Sequence, residues 1–306
     1  MVPNFEKSLK RAKMKNILRI ILITIITVVI AIPALYWLGN RFVKKQSDQL
    51  NEYLIVHNVI SEPNIQVDSR VLVNSSATGG EVVSNRSKNI SGYVVPWSQI
   101  KGTYSLFTYQ TDFNELISGE YGSKENQYSY DRQTKQKVAD FYHPNINYSY
   151  LKEMPNDLKK MNEKEATVTE VALSFDRAKT LKEIEKDIPK EVSMKWMYVA
   201  SSTKEKNIQG APGQEIYGFE YSKDSGQDTF EYFLENLEKV NNETDKKDTD
   251  AFIKSNGNKK LKEVEILGMM VTGENKDLKK LEKLPYLRAS SVGVSAPITP
   301  YIKVEK

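Results

Sequence analysis

The amino-acid sequence predicts an α+β protein with a single transmembrane helix near its N-terminus. Three observations lead to this prediction. Residues 20–39 are an uncharged apolar run, residues 64–165 show mainly extended patterns, and residues 166–306 alternate strand-like with helix-like segments. The chain has 306 residues and 39% hydrophobic content, which is enough for one or two domains with a buried core.

The apolar run extends from Ile20 to Gly39 and predicts a membrane span. As a helix it would be about 30 Å long, which matches the hydrocarbon core of a bilayer. Tyr36 and Trp37 near its end are residue types that prefer the membrane interface. A cleaved signal peptide is the alternative, but the run is longer than a usual signal-peptide core and residues 32–34 are a poor cleavage site.

Positive charge lies on both sides of the apolar run. Residues 1–45 carry nine bases and one acid, so that the other 261 residues hold a net charge of −4 in a chain whose total is +4. Because six of these bases precede the run, the positive-inside rule predicts a cytoplasmic N-terminus and an extracellular chain from about residue 42. We therefore expect a single-pass cell-membrane protein, and the confined basic charge argues against nucleic acid as a partner.

The basic tail, residues 1–19, is predicted to contact membrane lipids or a partner protein. Phe5, Leu9 and Ala12 recur at i, i+4 and i+7 and would form a weak apolar stripe on a basic helix. Contact with anionic lipid is the simpler interpretation, and protein docking is the alternative. The candidate contact residues are Phe5, Lys7, Leu9, Lys10, Arg11 and Lys13.

After the membrane span, a stalk at residues 40–63 and a β-rich extracellular domain at residues 64–165 are predicted. Ser61-Glu62-Pro63 would end the stalk helix, because a proline disfavours helix at the residue before it. In the β-rich domain we expect a turn at 77–80, a strand at 136–142 and a short helix that opens at Asp112. The region is rich in tyrosine, for which sheet packing is a simpler explanation than a glycan- or partner-binding surface. These tyrosines include Tyr121, Tyr128, Tyr130, Tyr142, Tyr148 and Tyr150.

Residues 166–306 are predicted to form an extracellular α+β domain with a βαβ unit at each end. Thr180 to Glu183 is a capping-box pattern that should begin a helix between two alternating strands. Residues 241–250 are predicted to be a solvated linker, and residues 201–214 a loop. An open sheet with helices on one face follows, and a ferredoxin-like topology is one candidate for it.

The composition excludes several classes of chemistry. With no cysteine, the chain cannot form disulfides, thiolate metal sites or a thiol nucleophile. His57 and His143 are the only histidines, and no phosphate loop, zinc-protease motif or serine-hydrolase elbow is present. We predict no enzyme, no cofactor and no catalytic or metal-binding residues. An enzyme that uses paired carboxylates on cell-wall polymers is the third-ranked hypothesis.

Two stretches resemble a known family. Phe5 to Lys13, followed by the apolar run, resembles the N-terminal module of the sigma factor regulator proteins of Gram-positive bacteria. The stretch from Thr167 to Val199 is similar to the opening of that family's C-terminal module, through Ser-Phe-Asp at 174–176, Thr-Leu at 180–181 and a later tryptophan strand. The two modules would cover about residues 1–95 and 165–300.

The resemblance implies an anti-sigma factor that holds an extracytoplasmic-function sigma factor at the membrane and releases it under envelope stress. A tail of about 19 residues is short for an interface that usually needs 20–30 residues a side. A membrane partner subunit could supply part of the interface with the sigma factor, or the chain could sense stress without sequestering a sigma factor. The start codon could also lie upstream of this sequence. The alternative function is a membrane-tethered extracellular binding or envelope-structural protein, of a transporter-accessory or immunity type, without sigma binding.

Overall fold

The computed structural model describes residues 3–112, 115–116, 129–201, 207–208, 216–240 and 243–305. By its internal contacts the chain divides into two compact units. One unit contains Met1–Asn51, Leu72–Val82 and Gly102–Thr111, and the other contains Glu52–Val71, Val83–Lys101 and Asp112–Lys306. The five-part domain division expected from the sequence stays a prediction.

A single helix, α1 (Pro3–Ser61), contains the basic tail, the apolar run and the stalk. It ends directly before Glu62-Pro63, as predicted. The apolar run is exposed along nearly its whole length, and the helix is long and apolar enough to cross a membrane. Thr24 and Thr27 each donate a hydrogen bond of 2.9 Å to the carbonyl four residues earlier, which satisfies their hydroxyls within an apolar environment.

The strands β1 (Gln66–Ser76), β2 (Gly79–Ile90), β3 (Tyr93–Ser105) and β4 (Tyr109–Asp112) form a four-stranded sheet in chain order. Of the turn predicted at 77–80, Ala77 and Thr78 connect β1 and β2, and Gly79 and Gly80 already belong to β2. Ser91 and Gly92 both have positive φ and form the tight turn between β2 and β3.

The helix predicted to open at Asp112 is wrong at the residues that the structure describes. Asp112 ends β4, and β5 (Glu115–Leu116) pairs antiparallel with β6 (Tyr130–Asp131). Phe113 and Asn114, which would complete that helix, lie outside the described residues, as do Tyr121 and Tyr128. A local capping pattern thus yields here to pairing with a distant strand.

The strand predicted at Gln136–Tyr142 is also wrong, because only Lys137 makes an isolated bridge, to Tyr130. The backbone N–H groups of Asp140 and Tyr142 instead donate to the hydroxyls of Ser291 and Ser174. Serine hydroxyls therefore take the place of a partner strand at Asp140 and Tyr142, whereas the N–H of Val138 donates to the backbone carbonyl of Ser129 at 2.8 Å.

The remaining elements build the α+β part of the chain. In chain order they are β7 (Asn147–Tyr148), α2 (Asp157–Lys160), β8 (Thr167–Thr180), α3 (Leu181–Asp187), β9 (Ser193–Ser201), β10 (Asn207–Ile208), β11 (Ile216–Glu220), α4 (Gly226–Leu237), α5 (Glu243–Asn256), β12 (Glu265–Glu274), α6 (Asn275–Leu278) and β13 (Leu287–Pro297). The predicted capping box is present at the start of α3, where both the N–H and the hydroxyl of Thr180 donate to Glu183 at 2.9 Å. The short β10 pairs with β7 and lies inside the segment predicted as a loop.

Five of these strands form one sheet in the order β11-β9-β12-β8-β13. β12 is antiparallel to both β8 and β9, and β13 is antiparallel to β8. The units β8-α3-β9 and β12-α6-β13 are therefore two interleaved split βαβ units, with β11 added at one edge. This arrangement is ferredoxin-like and confirms the α+β fold class.

The two faces of this sheet are covered by different kinds of structure. On one face, helices α3 and α4 bury Ile184, Phe230 and Phe233 against strand residues that include Val171 and Phe219. On the other face, the segment 136–142 places Ala139 and Phe141 on a cluster made of Ala172, Trp196, Tyr198 and Met270. Phe141 lies 5.7 Å from the ring of Trp196 and 5.2 Å from that of Tyr198, measured between ring centroids.

The solvated linker predicted at residues 241–250 is wrong at residues 243–250, because helix α5 begins at Glu243 and continues to Asn256, and residues 241 and 242 lie outside the described residues. Phe252 and Ile253 pack against the helix-covered core, and the rings of Phe252 and Phe233 meet at 5.9 Å. The apolar pair lies after the polar stretch, so that the stretch itself carries no periodic apolar signal. The contact of the C-terminal half of α5 with the core stabilises the helical conformation of the whole segment.

Candidate functional site

The basic tail is a fully exposed helix, as the sequence predicts. Residues 5–19 are all exposed, and Phe5 and Leu9 keep 71% and 48% of their surface in contact with solvent. At 100° per residue, Phe5, Leu9 and Ala12 lie within one narrow stripe of α1. Lys7, Lys10 and Arg11 lie on the opposite side of the helix, and Lys13 is beside the stripe. The structure thus brings all six candidate residues onto one short helical segment.

This surface has the chemistry of a docking helix. The apolar stripe is narrow, the remaining surface is basic, and no described residue of the chain packs on it. Such a helix can place its stripe in a groove of a partner or lie against anionic lipid. Neither occupant is decided by the geometry of the tail, so its role stays a prediction.

The opposite end of α1 leads into a group of buried charges, which we call the charged junction (Glu62, Arg86, Lys88 and Glu170). Glu62 follows the last residue of α1, Arg86 and Lys88 belong to β2, and Glu170 belongs to β8. All four residues are buried, and they form two ion pairs. Arg86 Nη1 lies 2.5 Å from Glu62 Oε1, and Lys88 Nζ lies 2.8 Å from Glu170 Oε1.

The first pair is held by several additional hydrogen bonds. Arg86 also donates to the carbonyl and hydroxyl oxygens of Ser98, at 2.7 and 3.1 Å. Glu62 accepts from Asn58 at 2.7 Å, and the Nδ1 atom of His57 lies 3.4 Å from its carboxylate. Burial raises the pKa of Glu62, but the hydrogen bond to His57 and the charge of Arg86 outweigh this and lower it to about 2. Glu62 is therefore ionised at neutral pH.

The second pair is enclosed more completely. Glu170 also accepts a hydrogen bond of 2.7 Å from Asn64, and Lys88 Nζ lies 4.3 Å from the centre of the Trp97 ring. A Cβ atom on Gly293 would lie 2.5 Å from Glu170 Oε1, so that glycine leaves room for the carboxylate. The charged junction thus joins the end of α1, the strand β2 and the strand β8 of the five-stranded sheet through satisfied polar contacts.

The charged junction was not predicted from the sequence. Residues 84–89 of β2 are all polar, which indicates a solvent-facing strand, yet Ser84 and residues 86–88 are buried. Their burial depends on carboxylates that lie 24 and 82 positions away along the chain. No local pattern reports such a pairing.

The contacts of His143, Tyr142 and Tyr148 favour structural roles for these residues. His143 lies in a loop whose carbonyls accept hydrogen bonds from Arg288, and its pKa is lowered by burial and by the charge of Arg288. Tyr142 and Tyr148 are buried and in edge-to-face contact, which favours the packing interpretation of these tyrosines. Among the described residues, no group of three His, Asp or Glu side chains could hold a metal ion.

A small cavity lies next to the charged junction. Its volume is about 120 Å³, and its lining includes Asn58, Glu62, Lys195 and Tyr232. Pockets that hold small-molecule ligands are usually about 300–1,000 Å³. The cavity is therefore an irregularity of the packing rather than a candidate ligand site.

The comparisons with known proteins agree with the two stretches that carry the resemblance. The family model described as sigma factor regulator N-terminal matches residues 6–95. The family model described as sigma factor regulator C-terminal matches residues 158–294. No curated protein and no solved structure matches the chain. The N-terminal match contains residues 6–19 of the basic tail, the apolar run and β2, and the C-terminal match contains most of the five-stranded sheet. The chain therefore belongs to the sigma factor regulator family, which supports an anti-sigma factor role and implies a sigma factor as a partner.

Proposed function

We propose that this protein is a single-pass membrane anti-sigma factor whose basic tail binds an extracytoplasmic-function sigma factor in the cytoplasm. The chain beyond about residue 42 would be an extracellular sensor of envelope stress. The observation that carries the proposal is that one helix, α1, contains both the exposed stripe of the basic tail and an apolar run long enough to cross a membrane. The charge asymmetry around the apolar run supports the orientation.

The continuous helix supplies a physical route for a signal. Glu62 ties the end of α1 to Arg86, and Lys88 of the same strand is tied to Glu170 in the five-stranded sheet. A change in the extracellular fold that broke these contacts would free the C-terminal end of α1 from β2, and the signal would pass from there along the helix, in which Pro33 removes one backbone hydrogen bond. Release of the sigma factor then requires two arrangements that differ in affinity for it.

The basic tail is proposed to be one contact of a shared interface rather than a complete clamp. A helix with two or three apolar anchors can occupy one groove, and the surrounding bases complement an acidic partner surface. A membrane partner subunit would supply the rest of the interface. Membrane lipids would compete for the same basic residues.

The proposal is tested by co-purification of the full-length protein from membranes with the sigma factor that it retains. Leu9→Ser removes the centre of the stripe and is expected to reduce the retained sigma factor about tenfold, as for an interface anchor. Met14→Ser is the matched control, because Met14 is also exposed and apolar but lies about 180° from Phe5 on the helix.

Equal retention by the Leu9→Ser and Met14→Ser variants would reject the docking stripe. If the wild-type protein retained no sigma factor and its deletion left sigma-dependent transcription unchanged, the anti-sigma proposal would fail. A membrane-tethered binding or envelope-structural protein would then be the better description.

A further inference from the structure

The hairpin tip between β3 and β4 (Ser105–Thr108) exposes an aromatic side chain. The N–H of Ser105 donates to the carbonyl of Thr108 at 2.8 Å and closes the turn, with Leu106 and Phe107 at its centre. Phe107 has 80% of its surface exposed, and Leu106 is half-buried. Single exposed apolar side chains are common on protein surfaces, so the position of the tip along α1 decides what this one can contact.

The hairpin tip lies beside α1 at the end of the apolar run. The rings of Phe107 and Phe42 are 6.5 Å apart. A Cβ atom on Gly39 would lie 3.1 Å from the carbonyl oxygen of Ala77 and 3.8 Å from Leu106 Cδ2, so that this glycine permits the close approach. Gly39 is also the last residue of the apolar run.

The strand β3 approaches this level by running along α1. Leu50 packs against Gly102, where a Cβ atom would lie 2.7 Å from Leu50 Cδ1. From Leu50 to the level of Phe42 and Gly39, the helix rises about 12–17 Å. From Gly102 to the hairpin tip, the strand rises a similar distance, about 13–17 Å. The tip therefore reaches the level at which the apolar part of the helix ends.

The residues of α1 at this level have the chemistry of a membrane interface. The guanidinium of Arg41 lies 5.5 Å from the centre of the Trp37 ring, and Lys44 and Lys45 follow within one turn. Aromatic rings and long basic side chains concentrate where lipid headgroups meet the acyl chains. An apolar side chain held at the same level can bury its surface in that layer.

We propose that Leu106 and Phe107 insert into the lipid interface at the C-terminal end of the membrane span. The occupant of this exposed surface is the bilayer that already surrounds the apolar run, and the bases at 41, 44 and 45 complement anionic headgroups. The sheet end would thereby gain a contact with the membrane separate from α1. This inference rests on the membrane anchoring in the proposed function but not on sigma-factor binding.

The absence of cysteine from the chain makes a direct test possible. Single cysteines at Phe107, Val29 and Tyr301 would carry nitroxide labels in the full-length protein, reconstituted in nanodiscs of phosphatidylglycerol and phosphatidylethanolamine. Val29 lies within the apolar run, and Tyr301 is an equally exposed aromatic residue, at 85%. Collision rates with a water-soluble nickel chelate and with oxygen report the depth of each label.

We expect the label at position 107 to collide with the nickel chelate about tenfold less often than the label at 301, because the label takes the place of the Phe107 side chain at the level of the lipid interface. Equal collision rates at 107 and 301, with a lipid-buried label at 29, would overturn the insertion while leaving the anchoring intact. A water-exposed label at 29 would overturn both.

A label at a second position, 108, leaves Phe107 unsubstituted. A label on Thr108→Cys is expected to be shielded from the nickel chelate, and adding Phe107→Ser to this variant should restore about tenfold more collisions. If Phe107→Ser left the collision rate unchanged, the phenyl ring would not hold the tip in the lipid. Retention of the sigma factor by the labelled proteins provides a separate reading of the anti-sigma proposal.

Discussion

Lys88 and Glu170 form a buried ion pair in which loss of either residue is expected to lower the stability of the fold. Glu170 is fully buried in β8, and its carboxylate accepts from Lys88 and Asn64. A buried ion pair contributes little net stability compared with a well-packed apolar pair, but removal of one partner leaves the other charge uncompensated. The charged junction is therefore sensitive to substitution on either side.

We expect Lys88→Met to lower the free energy of unfolding by about 3–5 kcal/mol, because Glu170 would keep its burial and lose its counter-charge. Lys182→Met on α3 is the matched control, since Lys182 is exposed and its loss should change stability by less than about 0.5 kcal/mol. Urea unfolding of the detergent-solubilised chain, followed by tryptophan fluorescence, measures both. Equal stability of the two variants would contradict the role given to this pair.

The lowered pKa of Glu62 predicts how the free energy of unfolding changes at acid pH. Its pKa is about 2 in the folded protein and about 4.5 when unfolded, so the unfolded chain takes up the proton first as the pH falls. The stabilisation by ionised Glu62 is therefore complete above about pH 4.5 and is lost progressively toward about pH 2. Compared with wild type, Glu62→Gln should show a flatter loss of unfolding free energy over this interval. Parallel pH curves for the two proteins would refute the assignment.

At the level of elements, residues 136–142 act as a cover for one face of the five-stranded sheet without being a strand. The N–H of Asp140 donates to a serine hydroxyl of the sheet, and Ser174 accepts from the N–H of Tyr142 at 2.9 Å. Both residues are buried, so water cannot replace a lost hydroxyl.

Ser174→Ala is expected to cost about 1–3 kcal/mol of unfolding free energy, because the N–H of Tyr142 would be left buried without an acceptor. Ser255→Ala on α5 removes a hydroxyl that is exposed and should change stability by less than about 0.5 kcal/mol. Hydrogen exchange of the Tyr142 amide provides a local readout and should accelerate only in the first variant. An unchanged exchange rate would show that another group satisfies this amide.

The elements that the sequence predicts well are those with long periodic patterns. α1 ends where the proline requires, and β8, α3 and β9 follow from alternation and a capping box that acts locally. The predictions at 136–142 and 241–250 are wrong because their conformations depend on partners elsewhere in the chain. Ser174 and Ser291 hold the first segment, and the core contact of Phe252 holds the second as part of a helix.

At the level of the whole molecule, the proposed orientation predicts a simple protection pattern. Protease added to intact cells should remove a C-terminal tag and spare an N-terminal tag, because the bases before the apolar run favour the cytoplasmic side. Both tags should be lost when the membrane is permeabilised. Protection of the C-terminal tag in intact cells would contradict the extracellular location of the five-stranded sheet.

The sequence by itself determined the long apolar helix that is able to cross a membrane, its end at residue 61, the α+β class and the family resemblance. These depend on composition and short-range periodicity, which are properties of neighbouring residues. Only the tertiary structure decided which charges are buried, what covers the second face of the sheet and where the hairpin tip lies along α1. The physical reason is that burial and pairing are settled between residues far apart in the chain, so a polar run such as 84–89 becomes an interior strand only when Glu62 and Glu170 are brought to it.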